Sequence, residues 1–67
     1  MLASFLVDEE TKQWIEFEVE LIDRDGTKAP PIQYTLTKDG WTYTLMLAGV
    51  AEKKAFYRLV TKRRLMG

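Results

Sequence analysis

The sequence predicts a small α+β fold, a four-stranded antiparallel sheet (meander) with one C-terminal helix packed on one face. Three observations predict this fold. Apolar and acidic residues alternate strictly over residues 15–21, a favoured hairpin turn separates two further alternating segments, and apolar residues near the C-terminus recur at helical spacing. Because 67 residues are enough for one domain at most, residues 1–67 are expected to form a single small α+β domain.

The first two strands are predicted over residues 3–7 and 15–21. The first segment is a short apolar run that ends before a polar loop. In the second segment, a period of two places the apolar residues on one face of the sheet and the acidic residues on the other. The apolar set is Ile15, Phe17, Val19 and Leu21, and the acidic set is Glu16, Glu18 and Glu20.

The next two strands, residues 32–37 and 41–47, are predicted to form a hairpin. The Asp39-Gly40 pair between them favours a type I′ turn, in which both central residues have positive φ. This turn predicts a register in which Lys38 pairs with Trp41, Leu36 with Tyr43, Tyr34 with Leu45 and Ile32 with Leu47. Residues 23–31, which contain Asp25-Gly26 and two prolines, are expected to be a connecting loop.

A helix is predicted over residues 50–65. Gly49 is a candidate N-cap, and Glu52 would lie near the positive end of the helix. The apolar stripe expected to cover the sheet consists of Ala51, Ala55, Phe56, Leu59 and Val60. The sheet residues expected beneath it are Phe5, Ile15, Phe17, Val19, Tyr34, Leu36, Tyr43 and Leu45.

Charge is divided unevenly along the chain. Residues 1–33 contain eight acidic and three basic residues, a net charge of −5, whereas residues 34–67 contain two acidic and seven basic residues, a net charge of +5. The predicted fold turns this division into an acidic sheet surface and a basic helix surface on opposite sides. A charge-segregated surface of this kind is typical of a protein that meets its partners electrostatically.

The composition argues against most enzymatic chemistry. The chain contains neither histidine nor cysteine, so a zinc site of those ligands and the most common catalytic bases and nucleophiles are excluded. We therefore expect no enzyme, no cofactor and no metal site. The longest uncharged segment, residues 40–51, is too short to span a membrane, so the chain is expected to be soluble and cytoplasmic.

The first functional hypothesis is a non-catalytic protein–protein interaction module, such as a small regulator, inhibitor or assembly subunit. Its candidate protein-binding residues are Trp14, Glu16, Glu18 and Glu20. Trp14 occupies the same alternate positions as the glutamates, so a regular strand exposes it as an interface anchor. Alternatively, a bulge or the end of the strand turns its side chain back into the core. The glutamates keep the sheet soluble, contact a basic partner protein or, least in accord with the net charge of zero, mimic nucleic acid. The expected partner of the module is another protein or a second copy of this chain in a homo-oligomer. Proteins of this size are common in viruses and mobile elements.

The alternative hypothesis is a nucleic-acid-binding module that uses the basic C-terminal helix. Its candidate residues are Lys53, Lys54, Tyr57, Arg58, Lys62, Arg63 and Arg64. The cations would contact phosphates, and Tyr57 would stack on a base. A solvated helix face explains the same pattern, and the net charge of zero is unusual for a nucleic-acid-binding domain. A third hypothesis is self-assembly, in which acidic and basic faces stack head to tail into rings or filaments.

Overall fold

The computed structural model describes residues 1–65, and this part of the chain is all-β. Its seven strands are β1 (Leu2–Asp8), β2 (Gln13–Val19), β3 (Ile22–Arg24), β4 (Thr27–Ala29), β5 (Gln33–Lys38), β6 (Trp41–Ala51) and β7 (Lys54–Arg64). The predicted α+β class is therefore wrong, since these residues include no helix. Consequently, no helix in the described residues could cross a membrane.

The predicted C-terminal helix is replaced by the end of β6, a tight turn and β7. The turn residues Glu52 and Lys53 have φ values of 51° and 62°, which a right-handed helix does not allow. The segment that follows is rich in residues that favour strands, namely Phe56, Tyr57, Val60 and Thr61. The helical spacing of the apolar residues is produced by a strand that has apolar side chains on both of its faces.

Five of the strands form one mixed sheet in the order β2-β1-β7-β6-β5, and β3 pairs with β4 in a separate hairpin. The sheet is thus larger than the predicted four-stranded meander. The sequence pattern did not determine the placement of β1, which is the second strand of the sheet: β1 pairs antiparallel with the edge strand β2 and parallel with β7. The pairing of Ala3 with Lys54 joins the two ends of the chain in one sheet.

The predicted β5–β6 hairpin is confirmed. Lys38 pairs with Trp41, Leu36 with Tyr43 and Tyr34 with Leu45, as the turn chemistry predicts. Asp39 and Gly40 have φ values of 52° and 79°, so both central residues adopt the positive φ that a type I′ turn requires. Ile32 lies outside β5, but its carbonyl oxygen accepts a hydrogen bond from the backbone N–H of Leu47 at 2.7 Å.

Much of the predicted loop at residues 23–31 belongs to the β3–β4 hairpin. Asp25 and Gly26, with φ values of 54° and 79°, form its turn. Its base is held by the guanidinium of Arg24, which donates a hydrogen bond to the Pro30 carbonyl oxygen at 2.7 Å. No other strand within residues 1–65 lies beside this hairpin, so it contributes little to the sheet itself.

The core lies on the concave face of the five-stranded sheet. Phe17 of β2 and Tyr34 of β5 belong to opposite edges of the sheet, yet their rings stack with centroids 5.5 Å apart, so the sheet is strongly curled. The buried apolar residues are Leu6, Phe17, Val19, Tyr43, Leu45, Ala55 and Tyr57. Five residues predicted for the core are thus buried (Phe17, Val19, Tyr43, Leu45 and Ala55), whereas Phe5 lies on the opposite face of the sheet.

Candidate protein-binding face

The outer face of the five-stranded sheet, opposite the core, includes alternate residues of β1, which lies between β2 and β7. Ser4, Leu6 and Asp8 are buried on the core face, so period two places Phe5 and Val7 on the outer face. Phe5 lies directly between Glu16 of β2 and Phe56 of β7, its registered neighbours. β1 therefore carries apolar side chains on both faces of the sheet.

An aromatic patch formed by Phe5, Trp14 and Phe56 lies on this outer face. The Phe5 and Phe56 rings stack with centroids 6.0 Å apart, and the Trp14 ring meets them edge-on at 6.4 and 6.5 Å. Such edge-to-face contacts stabilise the orientation of the rings beyond the effect of area alone. The patch is thus an ordered surface in which each ring is supported by the other two.

Trp14 is the most exposed aromatic residue of the patch. Its exposed fraction is 63%, which resolves the two alternatives for this residue in favour of exposure. Trp14, Glu16 and Glu18 alternate with buried residues along β2 and share the outer face. Glu20 follows the last residue of β2, Val19, and is exposed outside the strand. Three of the four candidate protein-binding residues therefore lie together, and the fourth lies beyond the end of the strand.

On the outer face, two of the candidate basic residues flank the aromatic patch. Lys54 is paired with Ala3, and its ammonium nitrogen lies 5.6 Å from the centroid of the Phe5 ring, a cation–π contact. Lys54, Phe56 and Arg58 are successive outward-facing residues of β7, and Arg58 is exposed. The acidic and basic residues thus flank the aromatic patch on one face of the sheet instead of occupying opposite sides of the molecule.

The remaining basic candidates are dispersed, because β7 sends alternate side chains to different faces. Lys53 lies in the β6–β7 turn, and Arg63 lies opposite Thr42 on the outer face. Arg64 lies over the Trp41 ring, with its guanidinium carbon 5.1 Å from the ring centroid. The set of seven residues therefore does not form the single basic helix face that the nucleic-acid hypothesis required.

The side chains of Tyr57 and Lys62 lie on the core side of the sheet and make contacts there. Tyr57 is 5% exposed, and its hydroxyl donates a hydrogen bond to the Pro31 carbonyl oxygen at 2.5 Å. Burial raises the pKa of Tyr57, although the charge of Arg24 opposes this effect. The Lys62 side chain is mostly buried and lies over the Trp41 ring, with Nζ 4.5 Å from the centroid. A buried tyrosine cannot offer its ring to a nucleic-acid base.

The ion pair between Asp8 and Lys62 also lies on the core side of the sheet. Lys62 Nζ donates a hydrogen bond to Asp8 Oδ2 at 3.0 Å, and the Glu10 backbone N–H donates to Asp8 Oδ1 at the same distance. The Lys62 ammonium lowers the pKa of the Asp8 carboxyl, and the Asp8 carboxylate raises the pKa of Lys62. These groups stabilise each other's charged form, which is typical of a structural ion pair.

Sequence reasoning missed Phe5 and Phe56 as surface residues, because it placed both in the core. One signal indicates that β1 carries apolar side chains on both faces, and no comparable signal marks Phe56. Residues 1–7 are apolar at every position except Ser4, whereas a strand covered on one face alternates apolar and polar residues. A continuous apolar run is typical of a strand that is covered on both faces, and the described part of the chain covers only one face of β1.

The outer face therefore combines an exposed aromatic centre with carboxylates on one flank and cations on the other. This arrangement provides apolar contact area and directional ion pairing to a second macromolecule. It includes neither a nucleophile beside a base nor a cradle of backbone donors. Comparisons of the chain with family models, curated proteins and solved structures found no match to it.

Proposed function

We propose that this protein is a non-catalytic protein-binding module whose contact surface is the outer face of the five-stranded sheet. The observation that carries the proposal is the exposure of Trp14 above two other aromatic rings. Tryptophan is enriched among the residues that dominate binding energy at interfaces, and a rigid exposed ring loses little conformational entropy on binding. The proposal keeps the cytoplasmic location expected from the sequence.

The three displaced pKa values support a non-catalytic role, because each has a structural cause. Asp8 and Lys62 form an ion pair between two strands, and Tyr57 is buried with its hydroxyl bonded to a backbone carbonyl. Catalytic groups with displaced pKa values are usually found in a cleft that admits a substrate. Here Asp8 and Lys62 are paired with each other and the Tyr57 hydroxyl is bonded to a backbone carbonyl, so we assign the aromatic patch to recognition.

A binding experiment with matched variants tests the proposal. Wild type, Trp14→Ala and Ile22→Ala are immobilised and exposed to lysate treated with nuclease, at moderate salt. Ile22 is the control because it is apolar and 43% exposed but lies in the β3–β4 hairpin. We expect one protein partner to be retained by wild type and Ile22→Ala and lost with Trp14→Ala. Retention that is equal for all three, or that disappears with nuclease, would contradict the proposal.

A fluorescence measurement with the captured partner gives an independent test. The chain contains two tryptophans, so Trp41→Phe leaves Trp14 as the only one. Binding at the outer face removes the Trp14 ring from water, and we expect its emission to shift to shorter wavelength on titration with the partner. Binding without any change in emission would locate the interface elsewhere on the molecule.

A further inference from the structure

We infer that the outer face binds a second copy of this chain in a two-fold symmetric dimer, an inference that rests on the proposed function and names its partner. The argument begins with β1, which is apolar on both faces. Its core face is covered by the curled sheet, whereas Phe5 and Val7 remain partly exposed on the outer face. A strand of this composition is typical of a sheet that is covered on both sides.

The charges around the patch follow the strands. Glu16 and Glu18 of β2 form an acidic stripe, and Lys54 and Arg58 of β7 form a basic stripe. β1 lies between these strands, so the stripes are separated by two strand spacings, about 10 Å. This distance is too long for ion pairs within one copy, and the exposed charges of each stripe remain available to another molecule.

Such a pattern is complementary to itself under one orientation of a two-fold axis. When the axis lies between two outer faces and runs along β1, rotation by 180° places β2 of each copy over β7 of the other. The acidic stripe then meets the basic stripe twice, and the Phe5 side chains of the two copies meet at the axis. An axis perpendicular to the strands places like stripes together instead, so the charges select the first orientation.

The register shows which residues face each other. Glu18, Ala3 and Lys54 lie in one row across the sheet, so Glu18 of each copy lies over Lys54 of the other. Trp14 is paired with Val7, and continuing the β1–β7 register by one residue places Arg58 in the same row. Trp14 of each copy therefore lies over Arg58 of the other, and an arginine over a tryptophan ring is a favourable cation–π contact. Two sheets stacked face to face lie about 10 Å apart, a distance that these side chains can bridge.

Sedimentation analysis of wild type, Trp14→Ala and Ile22→Ala provides the first test. We expect wild type and Ile22→Ala to pass from monomer to dimer with rising concentration, and added salt to weaken the dimer because the stripes are exposed. Loss of an interface anchor predicts a dissociation constant about 30-fold higher for Trp14→Ala. A wild type that stays at the 7.8 kDa monomer mass at high concentration and low salt would overturn the inference.

Charge reversal provides a second test that separates self-association from binding to another protein. Glu16→Lys/Glu18→Lys makes both stripes basic, and Lys54→Glu/Arg58→Glu makes both acidic. Each double variant alone is expected to be monomeric, whereas an equimolar mixture should form a heterodimer. Recovery in the mixture also shows that both variants are folded. Dimerisation of either variant alone, or no heterodimer in the mixture, would overturn the inference.

The two proposals fail in different ways. If wild type is monomeric but another protein is captured in a manner that depends on Trp14, the dimer inference is wrong and the proposed function stands. If wild type dimerises equally well with and without Trp14, the outer face is not the dimer interface and the dimer inference is wrong, while the lysate experiment alone decides the proposed function.

Discussion

Asp8 is a buried carboxylate whose charge depends on one lysine. It is 4% exposed and accepts hydrogen bonds from Lys62 and from the backbone N–H of Glu10. The pair connects the end of β1 to β7, two strands that are far apart in the chain. Because Lys62 lowers the pKa of Asp8, the folded state holds this proton less tightly than the unfolded state.

The lowered pKa of Asp8 makes the stability of the protein depend on pH in acid. The contribution of Asp8 is fully present above its unfolded pKa, near 3.8, and is lost as the pH falls through the lower pKa of the folded state. We expect the free energy of unfolding, measured with urea from pH 7 to pH 2, to fall less steeply below pH 4 in Asp8→Asn. Glu9→Gln is the control, since Glu9 pairs with Lys12 at the surface, and an equal slope in Asp8→Asn and wild type would contradict the prediction.

Tyr57 holds the segment before β5 against the core. Its hydroxyl donates to the Pro31 carbonyl oxygen, and its ring packs beside Phe17 and Tyr34. Tyr57→Phe keeps the ring and removes only this hydrogen bond, so we predict a loss of about 1 kcal/mol in the free energy of unfolding. Tyr34→Phe is the matched control, and urea unfolding at pH 7 measures both.

The raised pKa of Tyr57 adds a test at alkaline pH. Its stabilising effect is fully present below the unfolded pKa of 10.0 and is lost as the pH rises through the higher folded-state pKa. Above pH 10, wild type should therefore lose stability more steeply than Tyr57→Phe. If the difference between the two proteins is the same at pH 7 and above pH 10, burial does not raise this pKa.

The turn of the β6–β7 hairpin contains none of the residues that usually predict a tight turn. Asp25-Gly26 and Asp39-Gly40 are favoured type I′ pairs, but the third turn places Glu52 and Lys53 in the same positive-φ region. This conformation costs a residue with a Cβ about 1–2 kcal/mol of conformational free energy, and neither Glu52 nor Lys53 has the short polar side chain that reduces this cost. The two long strands compensate, since β6 and β7 have 11 residues each.

Replacing this turn with Asn-Gly should stabilise the protein. Glu52→Asn/Lys53→Gly relieves the strain at both positions, and the greater freedom of glycine in the unfolded chain offsets part of the gain. We predict a net increase of about 1 kcal/mol, which raises the Tm by roughly 4–8 °C in a chain of this size. Glu52→Gln/Lys53→Gln is the control, since it removes the charges and keeps the strain; an equal Tm increase in both variants would indicate an electrostatic cause.

The three two-residue hairpin turns explain how far the sequence could predict the fold. The β5–β6 register was predictable because Asp39-Gly40 fixes the turn and only one register keeps the apolar residues together. β7 was not predictable in the same way, because its turn lacks glycine and Phe56 places an apolar ring on the outer face. Two-sided apolar patterning hides the period of two, and a helical stripe then fits the same residues.

The candidate site was predictable only on β2, where the glutamates mark the outer face. Trp14 occupies the same alternate positions as the glutamates, so the sequence places it on that face. Phe5 could not be assigned, because both parities of β1 contain large apolar residues. The structure resolves this by burying Ser4, whose hydroxyl bonds to the Leu2 carbonyl oxygen at 3.2 Å, and by burying Asp8, which pairs with Lys62. Local hydrogen bonds thus allow two polar residues inside while Phe5 faces outward.

At the scale of the whole molecule, a chain of 67 residues has little stability to lose. One hydrophobic core of this size rarely supplies more than about 3–5 kcal/mol. Phe17 is 8% exposed, stacks on Tyr34 and packs at a tilt against Tyr57, so it joins the two edges of the curled sheet. Phe5 is only partly buried, and its ring contacts lie within the aromatic patch.

These two phenylalanines therefore predict opposite outcomes for the same substitution. Phe17→Ala should cost about 3–5 kcal/mol and leave most molecules unfolded at 25 °C, whereas Phe5→Ala should remain folded and lose only outer-face binding. Near-UV circular dichroism and amide proton dispersion in NMR spectra measure folding in both variants. Unfolding of Phe5→Ala would mean that the outer face is a second core and not a free surface. Folded Phe5→Ala with weakened self-association would show that its aromatic ring serves binding, at a position that the fold does not require.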